Sequence, residues 1–363
     1  MKYYFMKLLA LHLPQFYETE ENNIWWGKGF TEWSNVKKSK PLFKWHEQPI
    51  LPFNNYYYDL SKKEDILHQA KLANNYGIYG FVYFHYWFQG KLMLEKPCEI
   101  LLDNTDINIK FCFCWANHSW ARTWDGKEHE ILRKQTYGGK DDWHNHLLYL
   151  INFFSDDRYI KIDNKPVLFI YAAGNIPNCN SMIKYFNQEL KKNGFDGVYI
   201  VEYISSKNTY PACKFTSAVY EDEPIFSARF EISNFEKFKR LINKKLKRTD
   251  ILDYDYIWNL ILNKKRVYGG KTIIQGAYPA WDNTPRRGNN GATIFRGSTP
   301  EKFKKYLKTL ILNTNKRKDA SKDYIVINAW NEWGEGAVLE PSENYGYKYL
   351  EAVKSVMEDV NRL

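Results

Sequence analysis

The sequence predicts an α/β protein folded as a single (β/α)8 barrel of the TIM type with long strand-to-helix loops. Three observations favour this class: eight short runs of β-branched and aromatic residues, helix-length segments between them, and a length of 363 residues. No linker or low-complexity segment divides the chain, so one domain over 1–363 is expected. An open doubly wound sheet is disfavoured, because His12-Leu13-Pro14-Gln15 stands where its glycine-rich phosphate turn would follow the first strand.

The predicted strands and helices alternate along the chain. Strands are expected at 7–13, 79–85, 109–115, 167–171, 198–203, 215–220, 272–277 and 324–329. Ser61-Lys62-Lys63-Glu64 reads as a capping box, and Thr299-Pro300 places an N-cap before a proline. Residues 141–154 and 181–192 also have helical periodicity. The segment 229–270 is longer than one crossover needs and is predicted to be a basic helical insertion after strand six.

Positive charge is concentrated in a part of the chain. There are 52 Lys and Arg against 42 Asp and Glu overall, and residues 229–271 alone hold 12 against 5. Apolar residues recur at helical spacing from Phe235 to Leu246, which predicts an amphipathic helix with a cationic outer face. This helix is either a solvated surface or a docking face for an anionic membrane or a phosphate-linked substrate. Nucleic-acid binding is not expected, because no recognition motif accompanies the charge.

Cysteines and apolar runs bear on the cellular compartment. Five Cys without a C-x-x-C pair fit neither a disulfide framework nor a thiolate zinc site. No run approaches the ~18 apolar residues of a membrane span, and the start of the chain lacks the pattern of a secretory signal. The sequence therefore predicts a cytoplasmic protein, with attachment to a membrane surface left open by the basic insertion.

Side chains suited to sugar binding follow several predicted strands. Trp, Tyr and Phe make up 17% of the chain, more than a core alone needs, and aromatic faces stack on sugar rings. In a barrel the site lies at the carboxyl ends of the strands and in the loops after them. The expected sugar contacts are His12, Gln15, Trp26, Glu32, Trp33, His85, Tyr86, Trp87, Trp115, Asn117, Trp120, Arg122, Trp124, Asp125, Tyr171, Tyr278, Trp281, Asp282, Arg286, Trp330 and Asn331.

Glu332 and Glu335 carry the sharpest catalytic hypothesis. Glycoside chemistry needs two carboxyl groups that flank the anomeric carbon. A Glu-x-x-Glu pair is often only a solvated helix face, but this pair follows the last predicted strand and is accompanied by Gly334 and Gly336. The glycines allow both side chains to turn into a cleft, where burial beside indoles would raise the pKa of one carboxyl.

Several long, tryptophan-rich runs resemble one family. WWGKGFTEW at 25–33, CWANHSWARTWDG at 114–126, WDNTPRRG at 281–288 and NAWNEWGEGAVLEP at 328–341 are similar to the WbsX-like group of bacterial polysaccharide-synthesis loci. This group is often labelled glycosyltransferase and is related to glycoside hydrolase family 99, the endo-α-mannosidases. The resemblance runs from about Leu8 to the C-terminus. It implies a (β/α)8 barrel, no metal or other cofactor, and an oligo- or polysaccharide partner.

The resemblance also implies roles within the site. In family 99 one Glu deprotonates the substrate's 2-hydroxyl, which closes a 1,2-anhydro sugar, while a second Glu protonates the leaving oxygen. By the N-E-W-x-E-G pattern, Glu332 resembles the base and Glu335 the acid. Glu32 resembles a ligand of the sugar at the cleavage point, and Tyr86 and Trp115 resemble walls of its subsite.

Three other functions stay open on the sequence alone. A nucleotide-sugar glycosyltransferase could use the D-x-D match Asp253-Tyr254-Asp255, although this short pattern lies away from any strand end. A non-catalytic glycan-binding protein would keep only the cleft. A metal-dependent hydrolase could use His144-Asn145-His146, but this pair lies in a predicted helix, where side chains two positions apart diverge. His118 stands where relatives carry a carboxylate, so the identity of the bound sugar is not predicted. A lipid-linked glycan is one candidate substrate.

Overall fold

The computed structural model describes residues 6–122, 127–205, 209–316 and 324–362, and eight parallel strands within these ranges close a barrel. The strands are β1 Lys7–His12, β2 Gly80–Phe88, β3 Lys110–Trp115, β4 Lys165–Ile170, β5 Tyr199–Ile204, β6 Thr216–Glu221, β7 Thr272–Ala277 and β8 Tyr324–Ile327. Each pairs with the next in chain order, and β8 closes on β1 with Val326 opposite Leu9. The predicted (β/α)8 fold is confirmed, and each predicted strand overlaps an observed one.

Helices fill the connections between the strands. In the described ranges they are α1 Glu20–Trp26, α2 Glu32–Lys38, α3 Lys63–Asn75, α4 Lys96–Asp103, α5 Lys140–Phe154, α6 Cys179–Lys192, α7 Ile225–Phe230, α8 Asn234–Lys245, α9 Tyr254–Asn263, α10 Thr284–Arg287, α11 Pro300–Asn315 and α12 Lys348–Asn361. The Thr299 hydroxyl caps α11 as predicted, accepting from the Lys302 N–H at 3.2 Å. The capping box predicted at Ser61 is wrong, because that hydroxyl donates to Asp59 in the preceding turn.

Short strand pairs and 3₁₀ turns lie outside the barrel. The pairs are Lys91–Met93 with β2, Trp120–Arg122 with Lys127–Arg133, Lys161–Ile162 with β4, Asp250–Asp253 with Thr293–Arg296, and Asn331–Glu332 with Ala337–Val338. The turns are Phe53–Asn55, Ala173–Asn175 and Trp333–Glu335. The parallel pair that contains Asp250–Asp253 joins the loop after β6 to the loop after β7.

The segment 229–270 contains α8, the strand Asp250–Asp253 and α9. Helix α9 packs against α7 and α11, so it serves as the crossover helix between β6 and β7. The Tyr254 hydroxyl at the start of α9 donates to the Pro279 carbonyl, just after the end of β7. Because α9 begins at the carboxyl ends of the strands, α8 also lies at that end of the barrel. This is the end at which barrel enzymes build their sites.

Candidate active site

A cavity of about 630 Å³ opens at the carboxyl ends of the barrel strands. Every barrel strand, or the loop that follows it, contributes at least one residue to its wall. The predicted site residues that line it are Gln15, Trp26, Tyr86, Trp120, Tyr171, Trp281, Arg286, Glu332 and Glu335. Its mixture of aromatic faces with a few polar and charged groups is typical of small-molecule and sugar sites.

The pleat of the strands decides which side chains face this cavity. Leu11 and Leu13 line it from β1, and Phe84 and Tyr86 line it from β2. Successive side chains of a strand point to opposite faces, so the residues between them must point outwards to the helices. His85 is such a residue, and it is buried away from the cavity.

His12, His85 and Trp87, which the sequence predicts as sugar contacts, therefore lie outside the lining of this cavity. The His12 Nε2 is 2.9 Å from the Gln69 Oε1 in α3, and the His85 Nε2 is 2.9 Å from the His146 Nε2 in α5. The Trp87 indole stacks on the His146 ring. Burial lowers the pKa of His12 to about 4 and that of His85 to about 3, so both imidazoles are neutral near pH 7.

Asn117, Asp282 and Asn331, a second group of predicted contacts, do not line the cavity and bond neighbouring loops. The Asn117 amide bonds both the N–H and the carbonyl of Ala172 at 2.8 Å. The Asn331 amide accepts from the Leu13 N–H at 2.7 Å and donates to its carbonyl at 3.0 Å. The Asp282 carboxylate bonds two side chains of the loop after β1. These contacts tie neighbouring strand ends together.

A third group of predicted contacts is packed into the core. These residues are large and fall on the helix-facing or interior side of their segments: Trp33, Trp115, Tyr278 and Trp330. Each is at most 5% exposed and none lines the cavity. Arg122 lies with its guanidinium carbon 5.1 Å from the centre of the Trp26 ring. Trp124 and Asp125 lie outside the described residues.

Arg286 joins three carboxylates at the floor of the cavity. Its Nη2 donates to Glu332 Oε2 at 2.8 Å, its Nη1 to Glu335 Oε1 at 2.6 Å, and its Nε to Glu32 Oε1 at 2.9 Å. The two glutamates after β8 are thus held by adjacent nitrogens of one guanidinium. The arginine does not seal them off, because Glu332, Glu335 and Arg286 all line the cavity. Glu32 is fully buried behind Arg286.

Two glycines allow the loop after β8 to approach these groups. A Cβ on Gly334 would lie 1.9 Å from the Glu32 Oε1 and 2.6 Å from the Arg286 Nε, so only hydrogen fits there. Gly336 has a φ of +61°, and a Cβ there would meet the Asp282 backbone at 2.9 Å. The Asp282 N–H also donates to the Glu335 carbonyl at 2.7 Å. These close contacts fix where the two carboxylates point.

The charge balance at the floor leaves a proton on the carboxylates. Burial raises the pKa of Glu332 to about 8, and Glu335 and Glu32 raise it further against the lowering effect of Arg286. Burial is the largest cause of the raised pKa, and one guanidinium shared among three carboxyl groups does not offset it. In the unliganded site Glu332 therefore holds a proton near neutral pH. Glu335 lies beside it on the same guanidinium, and acid–base chemistry at a glycosidic bond requires two such carboxyl groups.

Asp222 is the main cavity residue absent from the predicted site. It directly follows β6, is half-buried and lines the cavity with Tyr203 and Asn328. Burial raises the pKa of Asp222 to about 8, and the charges of Glu335 and Glu223 add to this effect. The available signal was its position: it is the first residue after a barrel strand. His118 also lines the cavity, with its ring 5.0 Å from that of Tyr171.

The two motifs that suggested a metal are engaged elsewhere. The Asp253 carboxylate caps α9 by accepting from the Tyr256 N–H, and Asp255 pairs with Lys302 at 2.7 Å. His144 contacts a tyrosine of α6, whereas His146 contacts the β2 histidine described above. Within the ranges that the structure describes, no three His, Cys, Asp or Glu side chains are grouped to hold a metal ion.

Solved structures with the same architecture are glycoside hydrolase-like. A glycoside hydrolase-like protein superposes with a TM-score of 0.60 at 15% identity, covering 97% of this chain and 94% of that one. The GH99 endo-alpha-mannosidase from Bacteroides thetaiotaomicron gives a TM-score of 0.54 at 14% identity, covering 98% and 97%. At such low identity these likenesses concern the fold alone, and the class reached at this point is a (β/α)8 barrel with the architecture of these structures.

The family follows from the sequence comparisons. The model of the family described as "Glycosyltransferase WbsX" matches residues 8–353, so the chain belongs to the WbsX glycosyltransferase family. Proteins named "Uncharacterized protein WxcX" from two strains of Xanthomonas campestris pv. campestris are 32% identical over 350 residues, which is 96% of this chain. The chain spans about half the length of these relatives, 49%. No helix in the described part of the chain is long and apolar enough to cross a membrane.

Proposed function

We propose that this protein cleaves or transfers a glycosidic bond with retention of configuration, using Glu332 and Glu335 and the substrate's own 2-hydroxyl. One observation carries the proposal: both carboxylates meet adjacent nitrogens of Arg286 at the floor of an aromatic-walled cavity. The family resemblance supplies the order of the steps and the roles of the two glutamates, and the raised pKa of Glu332 supports one proton held by the pair near neutral pH.

In the first step Glu332 acts as the base. Its carboxylate takes the proton of the 2-hydroxyl, and O2 attacks the anomeric carbon to close a 1,2-anhydro ring. The bond to the leaving oxygen breaks, and the protonated Glu335 gives that oxygen its proton. Because the resting site holds a proton on Glu332, substrate binding must leave that proton on Glu335. The shared guanidinium of Arg286 contacts both carboxyls and makes them one coupled pair.

In the second step Glu335, now a carboxylate, activates water or an acceptor hydroxyl. The incoming oxygen attacks the anomeric carbon and opens the anhydro ring, while O2 recovers its proton from Glu332. Both glutamates return to their starting states, and two inversions give net retention. Glu335 is the more exposed of the two, with 26% of its side chain accessible against 8% for Glu332, which suits the group that meets the incoming acceptor.

A substrate without a free 2-hydroxyl tests this route. The purified protein is incubated with oligosaccharides from a bacterial polysaccharide, and the release of reducing ends is measured with a 2-deoxy analogue in parallel. We expect turnover of the parent sugar and none of the analogue. Turnover of the 2-deoxy compound at a comparable rate would exclude the anhydro-sugar route.

The family description favours a second candidate, a nucleotide-sugar glycosyltransferase. Against it stands the charge of the cavity floor, because Glu32, Glu332 and Glu335 surround Arg286 and disfavour a diphosphate. The same incubations with and without nucleotide sugars separate the candidates. Reducing ends released without a nucleotide support the first proposal, whereas product formed only with a nucleotide supports the second. Binding without turnover in either assay would indicate a non-catalytic glycan-binding protein.

The biological substrate is proposed to be an oligo- or polysaccharide intermediate of the O-antigen or capsule type, including its lipid-linked form. The chain's membership of the WbsX family supports polysaccharide metabolism as the setting. The basic segment 229–271 supports a phosphate-linked or membrane-attached glycan, because it adds strong positive charge beside the cavity end of the barrel. A cytoplasmic location with contact to the inner face of a membrane is part of this proposal.

A further inference from the structure

Helix α8 exposes its apolar face instead of burying it. No residue of this helix is buried. Phe235, Phe238 and Leu241 are 73%, 62% and 52% exposed, and Ile242 and the following Leu246 are also exposed. A surface helix of a globular protein normally turns such a stripe to the core, and a contiguous exposed apolar patch marks an interaction surface. The expectation of a cationic outer face described only half of this helix.

The charges beside the stripe indicate which partner fits. Residues 234–248 carry seven Lys and Arg and one Glu, and Lys244, Lys245 and Lys247 are all exposed at the end of the helix. Cores of protein–protein interfaces are depleted of lysine. By contrast, helices that lie in a membrane interface combine Phe and Leu on one face with lysines that reach phosphate groups.

The helix is held firmly to the barrel. The Ser233 hydroxyl caps it by accepting from the Glu236 N–H, and Arg240 pairs with Asp250 in the strand that joins the two loops. Further along, the buried Lys264 ammonium donates to the Glu223 carboxylate at 2.6 Å, just after β6. The exposed stripe is therefore presented by an anchored element at the cavity end of the barrel.

We propose that α8 docks this protein on an anionic membrane surface. Its apolar residues, Phe235, Phe238, Leu241, Ile242 and Leu246, enter the boundary between headgroups and acyl chains, and its lysines contact lipid phosphates. Membrane binding itself does not depend on the proposed chemistry. The consequence for the substrate does rest on the proposed function: a docked α8 places the cavity end of the barrel where a lipid-linked glycan would be found.

Vesicle flotation of the intact chain tests the proposal. The vesicles contain phosphatidylcholine alone or mixed with phosphatidylglycerol, at low and at high salt. We expect flotation with the anionic vesicles at low salt and much less with phosphatidylcholine alone. Phe238→Ser with Leu241→Ser should weaken binding by about tenfold for each side chain. Lys244→Gln with Lys245→Gln should weaken it by roughly fivefold for each charge and reduce the salt dependence.

Leu148→Ser is the matched control, because Leu148 is an equally exposed leucine on α5 and its replacement should leave binding unchanged. Absence of flotation at low salt overturns the proposal. Binding that survives Phe238→Ser with Leu241→Ser also overturns the proposal, because the surface would then bind lipid by charge alone. Concentration-dependent self-association that those changes abolish, without lipid binding, would assign the face to a second copy of the chain. Glycan turnover is measured separately and distinguishes this failure from failure of the proposed chemistry.

Discussion

The loop after β8 and the insertion after β6 leave the same end of the barrel and are built in opposite ways. Residues 330–340 are buried except for Glu335, and they are held by side-chain bonds to the loops after β1 and β7. In α8, by contrast, every residue is at least partly exposed. The first segment uses its contacts to fix two carboxylates. The second leaves its apolar residues exposed, so the proposed chemistry and the proposed membrane attachment belong to different segments of the same rim.

The largest expected effect comes from changing the two glutamates of the loop after β8. Glu332→Gln and Glu335→Gln should each lower kcat by about 10³-fold, because each removes a proton transfer of the reaction. Sugar affinity should change little, since the amides keep the shape of the carboxyls. The measurement is the rate of reducing-end release together with ligand titration. Glu343→Gln, an exposed position after the same loop, is the control, and near-normal rates in either site variant would remove the assignment.

Arg286→Gln should show how much the loop depends on one cation. We expect the free energy of unfolding at pH 7 to fall by about 3 kcal/mol, because three carboxylates lose their shared partner. The loss should be smaller at pH 5, where the carboxyls of the variant bind protons and need no cation. Denaturant unfolding at both pH values measures it, with the exposed Arg296→Gln as control. An equal loss at both pH values would contradict the charge argument.

The pH dependence of the reaction tests whether its proton is held by the glutamate pair. The reaction needs one proton on the pair, and this proton is held below the raised pKa of Glu332 and lost above it. We therefore expect kcat/KM to fall about tenfold per pH unit above about 8. Asp222→Asn is the control, because the pKa of Asp222 is also raised to about 8. A fall that persists in this variant belongs to the glutamate pair, and one that disappears belongs to Asp222.

The smallest effect tests the second half of the comparison. Phe238→Ser should change the free energy of unfolding by less than about 0.5 kcal/mol, because Phe238 is 62% exposed in the folded protein. Trp330→Ala in the loop after β8 should cost about 3 kcal/mol or more, because its indole is fully buried. Thermal or denaturant unfolding of both variants gives the contrast. A large loss for Phe238→Ser would mean that α8 is part of the core after all.

Sequence periodicity is sufficient to predict the strands of the barrel, but position at a strand end is not sufficient to predict which side chains line the cavity. Eight strand positions could be read from runs of β-branched and aromatic residues, because barrel strands are short and buried. At the strand ends, however, residue type alone does not show whether a polar or aromatic side chain faces the cavity. The alternation in β2 sends Tyr86 inwards and His85 outwards, and both types are equally plausible sugar contacts by chemistry.

Other features depend on contacts between distant segments and could not be predicted from local patterns. Arg286 contacts carboxylates that are 254, 49 and 46 positions away along the chain. Its contact with all three could therefore be recognised only in the folded structure. The buried carboxyl of Glu32 is another case, because a sugar ligand and an ion-pair partner have the same sequence signal. The exposed stripe of α8 was also hidden, since an amphipathic pattern does not say which face meets water.

The distribution of indoles gives this protein a built-in optical reporter. Trp26 and Trp120 are half-exposed at the cavity wall, whereas Trp258, Trp330 and Trp333 are sealed in the interior. Indoles in polar surroundings emit at longer wavelengths than those in apolar ones. Trp45 is 84% exposed and does not line the cavity, so its long-wavelength emission is a background that a ligand leaves unchanged. A ligand that fills the cavity should therefore quench or blue-shift only part of the long-wavelength emission, and candidate glycans can be screened without labels.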